Sequence, residues 1–526
     1  MPTSNEAGTG MSVARRADFP VAPLPTVHPS PPVNLRPHAV ISPARMRLGQ
    51  RQLILDAAWA SMTGSLSGGV LLAAFALELG ATPFEVGVLA AIPFICQAAQ
   101  LFGVVLVERI RERKRIGVIA VGIARVVILL LAVLPVLAEG WPRLGMLIAA
   151  QFAICALGSI GGCAINSWMH QLLPRAALGS FFGRQLFAAT SFACLGTLGA
   201  GLLVDHPPGG STQLAYAVCF GTAGIAGAIS TVYLARVPEP RMGPAGPAMA
   251  TLERLRAPIA DRPFRRVLVL LAAWNLASNV AAPFLTVYLI QQLGYGLTTV
   301  TSLWVLSQLA NVVTIYLWGR LSDRLSNKAV LSVALPAYFA CLLSLVFIDA
   351  TTTSTSRLVA LAVMHFVMGA ATGGIGLAAG NLGLKFAPQG QATAYLAMTG
   401  LVSAIVGGVA PIVAGLFAQG VAQSELSVVM RWTSPDRRAE LAVLSFAHWE
   451  FLFAISCVLG LYVMHALSRI DEGDQISEHR VMQEFALEAL RTVNHLSSIG
   501  GVLGDLFPFQ RLAERRRRVR PEKSDS

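Results

Sequence analysis

Three ionisable side chains of this 526-residue chain, Asp56, Arg125 and His365, stand well inside long apolar runs. A guanidinium keeps its charge in any site, so Arg125 demands a counter-charge: a helix carboxylate, carbonyl oxygens, or a carboxylate or phosphate on a substrate. Asp56 is the one acid well inside an apolar run in the first half of the chain. It lies nearer its end of the run, so a direct pair requires the arginine to reach down; a purely structural ion pair between helices fits the same residues. Histidine titrates close to neutrality in water, which makes His365 a candidate proton carrier, against the plainer reading of a satisfied packing residue. Gln97, Asn279, Gln308 and Asn311 also fall near the middle of their runs when depth is counted at about 1.5 Å per residue. Trp274 and Tyr288 flank Asn279 and could supply aromatic surface. Polar groups at such depth are costly unless partnered, so they point to a helix-lined interior or a water-filled cavity.

The elements that must carry these residues are membrane-spanning helices. Charged residues make up 13% of the chain, against about 25% in ordinary soluble domains. Mean hydropathy is +0.61. Apolar segments of about 20 residues, the length that crosses a hydrocarbon core, occur at 53–77, 84–107, 116–138, 144–170, 185–205, 213–235, 267–291, 298–318, 329–349, 358–384, 392–419 and 447–468. They are continuously apolar and do not alternate, which excludes membrane barrel strands. Most connections are short; the long ones are 236–266, midway, and 420–446, before the last helix. Six spans, a long linker and six spans predict an all-α protein of two six-helix bundles, 45–235 and 267–468, that move against each other.

Lys and Arg set the orientation. With the N-terminus in the cytoplasm, the outer connections hold Arg143, Arg357, Arg431, Arg437 and Arg438; setting Arg125 apart as intramembrane leaves thirty-four of the 40 basic residues on the inner side. Both termini are therefore expected in the cytoplasm, by the positive-inside rule. The net charge of +12 then reads as orientation and attraction to anionic headgroups, not as nucleic-acid binding. All seven cysteines fall inside the expected helices and no CxxC pair occurs, so neither a disulfide framework nor a metal site is indicated. No cofactor is expected. The Gly-x-x-x-x-Gly-Lys-Ser/Thr phosphate loop is absent as well.

A charged turn joins two of the apolar runs, Gly319-Arg320-Leu321-Ser322-Asp323-Arg324-Leu325-Ser326-Asn327-Lys328. Its Gly-x-x-x-Asp-Arg core resembles the loop between the second and third helices of each half in major facilitator superfamily transporters. The first half carries a degenerate copy, with Glu108-Arg109 in place of Asp323-Arg324 and no following glycine. A second correspondence links Asn166 and Pro174, followed by Arg184, to Asn381 and Pro388 at the ends of the fourth and tenth helices. The resemblance covers about residues 45–470. It implies that Asp323 is a gate acid with Arg324 and Lys328 as partners, latched in one conformation and released in the other; capping and topology are the plainer roles. It further implies that helices 1, 4, 7 and 10 line the cavity, favouring Asn279 and His365 as substrate contacts.

Residues 1–44, rich in Pro, Ser and Ala, read as a disordered cytoplasmic tail. In the basic tail 469–526, Val481–Leu496 has apolar residues at helical spacing. An amphipathic helix on the membrane surface and a partly helical solvated tail both fit. The expected function is secondary active transport of a small organic solute across the cytoplasmic membrane by alternating access, with a proton as candidate coupling ion, in a monomer embedded in the lipid bilayer. A lipid flippase or sensor of the same shape is the alternative. A membrane-embedded transferase fits less well, because its acids and histidines would cluster and here they are scattered.

Overall fold

In the computed structural model, residues 35–472 are described apart from 39–40, 139–140, 173–177, 243–256, 349–353, 389–391 and 435–436, and Gln483 is described beyond them. Apart from Gln483, the expected tail helix at 481–496 and the N-terminal 34 residues thus lie outside the described residues. Among the described residues, 12 helices are long and apolar enough to cross a membrane. Helices 1 to 6 are Pro43–Glu78, Pro83–Ile110, Arg113–Val136, Arg143–Met169, Phe181–Asp205 and Thr212–Arg236. Helices 7 to 12 are Arg262–Gln292, Leu297–Arg324, Asn327–Val346, Ser354–Lys385, Ala394–Gly420 and Glu450–Ser468. Each of the twelve expected runs coincides with one of them.

Local chemistry sets several ends and bends. Helix 2 starts in a capping box, the Thr82 hydroxyl accepting from the Glu85 amide while Glu85 Oε2 accepts from Thr82 N at 2.7 Å. Pro93 then removes a ladder donor, and the helix tightens to a 3-10 turn at Cys96–Ala98. Helix 2 ends at Arg111, whose φ of 60° puts a non-glycine residue in the left-handed region. Arg111→Gly should raise stability by about 1 kcal/mol, read as a higher denaturation midpoint of the purified protein.

The two halves repeat one packing plan. Helix 1 packs on 5 and 6, helix 2 on 4, and helix 3 on 4 and 6; in the second half 7 packs on 11 and 12, 8 on 10, and 9 on 10 and 12. Between halves, helix 2 lies along helix 11 and helix 5 along helix 8. These seams are close because glycines remove the side chain at the crossings. A Cβ on Gly87 would collide with the Pro411 carbonyl, and one on Gly415 would come 2.5 Å from the Pro83 carbonyl oxygen. On the other seam Asp205 caps helix 8, accepting from Leu297 N at 2.9 Å and Thr298 N at 2.7 Å. Every one of these contacts lies towards the same end of the molecule. The opposite stretch of helix 2 keeps Leu101, Phe102 and Val105 more than half exposed.

The segment before helix 12 departs from the expectation of a plain connection. Glu425–Ser434 and Arg437–Ala447 form an antiparallel hairpin with a register shift at Val428/Val429. The register sets Arg431 directly across from Glu440, which places an acid opposite one of the three arginines that stand out against the positive-inside pattern.

Candidate functional site

Helix 1 is interrupted where Gly69 adopts φ +53°, a conformation that side chains resist. The break borders a cavity of about 330 Å³ on the seam between the halves. Helix 1 gives it Ser61, Ser65 and the Gly68–Gly69 backbone; helix 5 gives Cys194 and Thr197; helix 8 gives Thr301, Trp304 and Gln308. Gly196 of helix 5 lies directly against the Ser65 hydroxyl, so the two walls approach closely there. Hydroxyls, one amide and an indole face the space, and no charged side chain among the described residues lines it. Such a surface can hydrogen-bond a neutral polar group and stack on a flat one.

Behind the indole lies a second layer. Trp304 Nε1 donates to Thr286 Oγ1 at 3.2 Å, and the His365 ring stands edge-on to Trp304, 6.0 Å between centroids. His365 is fully buried; its Nδ1 is 2.8 Å from the Leu361 carbonyl, and its Nε2 has no partner among the described residues. It touches the wall of the cavity, not the cavity itself.

The candidate residues therefore separate. Gln308 lines the cavity. Asn311 donates to Thr372 Oγ1 at 3.3 Å and clamps helix 8 to helix 10. Asn279 donates to the Asn275 carbonyl within helix 7, while Asn275 reaches Ser403 on helix 11. Trp274 packs edge-on against Tyr338 of helix 9, 4.9 Å between centroids. Tyr288 is fully buried against Phe453 and donates to the Leu345 carbonyl at 3.4 Å. The expectation of an aromatic cavity surface from Trp274 and Tyr288 is thus corrected. Both rings fill helix seams, where area burial outweighs any use on a wet surface, and Trp304, missed from sequence, takes that place. Gln97 sits in the 3-10 turn of helix 2, beside helices 4 and 11.

Asp56 and Arg125 both lie against helix 6 inside the first half. Ser230 on helix 6 donates to Asp56 Oδ1 at 2.6 Å. Arg125 lies across Gly227 of helix 6, its Cδ 2.5 Å from where a Cβ would stand. The two charges act on each other electrostatically, yet they are absent from the contacts within 4.0 Å among the described residues. Arg125 Nε is buried with no hydrogen-bond partner among those residues. Neither side chain is part of the cavity wall.

Two carboxylates that sequence reasoning passed over hold the basic end of each half. Glu239, after helix 6, is fully buried and accepts from Arg113 N at 2.9 Å and Arg113 Nε at 3.3 Å. Lys114, 2% exposed, feels its charge too, and Trp168 Nε1 donates to the neighbouring Pro238 carbonyl at 2.8 Å. Glu472, after helix 12, accepts from Lys328 N at 2.6 Å, Asn327 Nδ2 at 2.8 Å and Lys385 Nζ at 3.0 Å. Each acid follows the last helix of its half and caps the start of the third. The signal was present as Arg236-x-x-Glu239 and Arg469-x-x-Glu472. Asn381 joins the second cluster, its Nδ2 3.5 Å from Ser322 Oγ.

Burial by itself would push the Glu472 carboxyl up, but bonds from Asn327, the Lys328 amide and Lys385 outweigh it and hold it below the ordinary glutamate value. A depressed folded pKa means stability present above the unfolded pKa and lost as pH falls through the folded value. Wild type should thus exceed Glu472→Gln in thermal midpoint near neutral pH, by an interaction of about 1–3 kcal/mol. The gap should close below about pH 4.

Glu108, Arg109 and Asp323 are exposed, and Lys328 Nζ binds the Ile470 carbonyl at 2.6 Å instead of Asp323. No Cβ clash guards Gly319, whose nearest neighbour would be Leu377 at 4.0 Å. Arg324, Arg184, Asn166 and Pro388 are exposed, and Pro174 lies outside the described residues.

A sequence profile described as the Major Facilitator Superfamily matches residues 57–411. The chain belongs to that superfamily. It is a membrane transporter with the major facilitator fold. No curated protein sequence matches it. A solved structure of the nucleoside transporter NupG is similar at 12% identity and a TM-score of 0.62, covering 81% of this chain and 100% of that one. A bacterial homologue of the iron transporter ferroportin in an inward-facing state gives 13% and 0.58, covering 82% and 100%. A POT family transporter in complex with a thioalcohol-conjugated peptide gives 13% and 0.58, covering 81% and 97%. At such identities the likeness shows fold, and these relatives carry chemically unrelated cargo, so the cavity must speak for the substrate.

Proposed function

We propose that this superfamily member is a secondary transporter for a small, neutral solute carrying hydroxyl or amide groups and one flat apolar face, moved by alternating access. The observation that carries the reading is the uncharged cavity of about 330 Å³ on the seam between the two halves. Its size is at the lower end of small-molecule sites, about 300–1,000 Å³. The seams meet at the end bearing Pro83, Asp205 and Gly415. With both termini assigned to the cytoplasm by the basic loops, the geometry is inward-open. Exposed Asp323 and Glu108 then correspond to the released state of the gate. The lack of a lining charge among the described residues favours a neutral solute over an anion whose charge would need a partner.

Proton coupling is assigned to Asp56, which accepts from Ser230 and lies within the electrostatic reach of Arg125. The test is transport by the purified protein in liposomes against a panel of neutral and charged solutes, with and without a pH gradient. Trp304→Ala and Gln308→Ala should each lose about tenfold or more in transport efficiency for a neutral solute, the loss of a stacked ring and of a buried hydrogen bond. Asp56→Asn should abolish gradient-driven accumulation while leaving exchange intact. Binding of a solute without flux would replace the transporter reading with a sensor.

A further inference from the structure

A groove of about 600 Å³ opens between the start of helix 7 and the end of helix 12, on the basic end of the second half. Arg265 and Arg266 line it from helix 7, and His465 and Arg469 from helix 12. Among the described residues, no carboxylate contributes to its wall. Arg266 Nη1 donates to the Arg469 carbonyl at 3.1 Å, so one guanidinium is fixed across the groove. Four residues beyond Arg265, Val269 is 40% exposed; on helix 12, Tyr462 is 53% and Val458 66% exposed. Helical spacing places Val269 on the face of Arg265 and Arg266, and Val458 and Tyr462 on the face of His465 and Arg469. The surface therefore runs from a cationic recess at the helix ends to an apolar stripe towards mid-helix.

We propose that this groove is a binding site for an anionic glycerophospholipid, its phosphate held by Arg265, Arg266 and Arg469 and an acyl chain laid along Val269 and Tyr462. Basic recesses between helices at a membrane surface attract acidic headgroups at about 1 kcal/mol per Lys or Arg. The apolar half decides for a lipid over free phosphate, because a soluble anion gains nothing from an exposed valine and tyrosine. Arg266 supplies directionality, since a guanidinium offers paired donors to phosphate oxygens where a diffuse charge would not.

The experiment is native mass spectrometry of the full chain from vesicles of phosphatidylglycerol and phosphatidylcholine in equal parts. Wild type should retain phosphatidylglycerol preferentially. Each of Arg265→Gln, Arg266→Gln and Arg469→Gln should reduce that preference about fivefold. Val269→Trp narrows the groove with all charges kept; it should lower retention too, which separates the site from a general loss of charge. A control removing one charge elsewhere, Arg45→Gln, should leave the preference as it was. Equal losses in that control would reduce the effect to diffuse electrostatics and overturn the site. Displacement of the lipid by millimolar inorganic phosphate would overturn it in favour of a free-anion site.

Discussion

Gly87→Val should cut transport about fivefold or more and make the cavity reachable from the side that the seams now close. In the structure the Cα of Gly87 meets the Pro411 carbonyl with no room for a Cβ, and Gly415 meets Pro83 in the same way one layer further out. A valine there must push helix 2 and helix 11 apart. Neither neighbour can yield cheaply, because the obstructing atoms are backbone. Overpacking of this kind costs about 1–3 kcal/mol, and here the cost falls only on the conformation in which the seam is shut. At about 1.4 kcal/mol per tenfold, the population of that conformation drops about five- to 150-fold. Cys194 in the cavity wall reports the change. With the other six cysteines replaced, a membrane-impermeant thiol reagent added on the Pro83 side should label Cys194 faster in Gly87→Val than in the parent. Unchanged labelling and unchanged flux would mean that this seam does not gate.

Glu239→Ala should be the most destabilising single substitution at the basic end of the first half. Both Glu239 and Arg113 have fully buried side chains, and the pair is closed by the Arg113 amide and by the Pro240 carbonyl, which accepts from Arg113 Nη2 at 2.7 Å. Removing one partner of a buried pair leaves an uncompensated charge and costs about 3–5 kcal/mol. Lys114 worsens it, since Glu239 also balances that ammonium. At about 2–4 °C per kcal/mol for a bundle of this size, the midpoint of thermal unfolding should fall by roughly 6–20 °C. Arg113→Ala with Glu239→Ala should recover part of the loss, as the pair leaves together. A fall below about 1 kcal/mol for the single variant would show that water reaches the pair and screens it.

The twelve spans and the charged turns were legible because crossing a bilayer is a local demand: about 20 apolar residues in a row, with charge confined to the ends. The pseudo-repeat showed through Glu108-Arg109 and Asp323-Arg324 for the same reason. Position along a helix can be counted from the sequence, but it is only one coordinate. Whether a residue faces the cavity, a neighbouring helix or lipid depends on how each helix is rotated, and that is fixed by packing between segments far apart in sequence. Tertiary structure alone therefore chose Trp304 over Trp274 and Tyr288, set His365 behind the indole, and brought Asp56, Ser230 and Arg125 together across 174 residues of chain between the first two. The same limit hid Glu239 and Glu472, whose partners stand 126 and 144 residues away. The hairpin before helix 12 was missed for another reason. Two strands pairing only with each other are marginal alone, and their alternation is faint beside helices that read as continuous apolar runs.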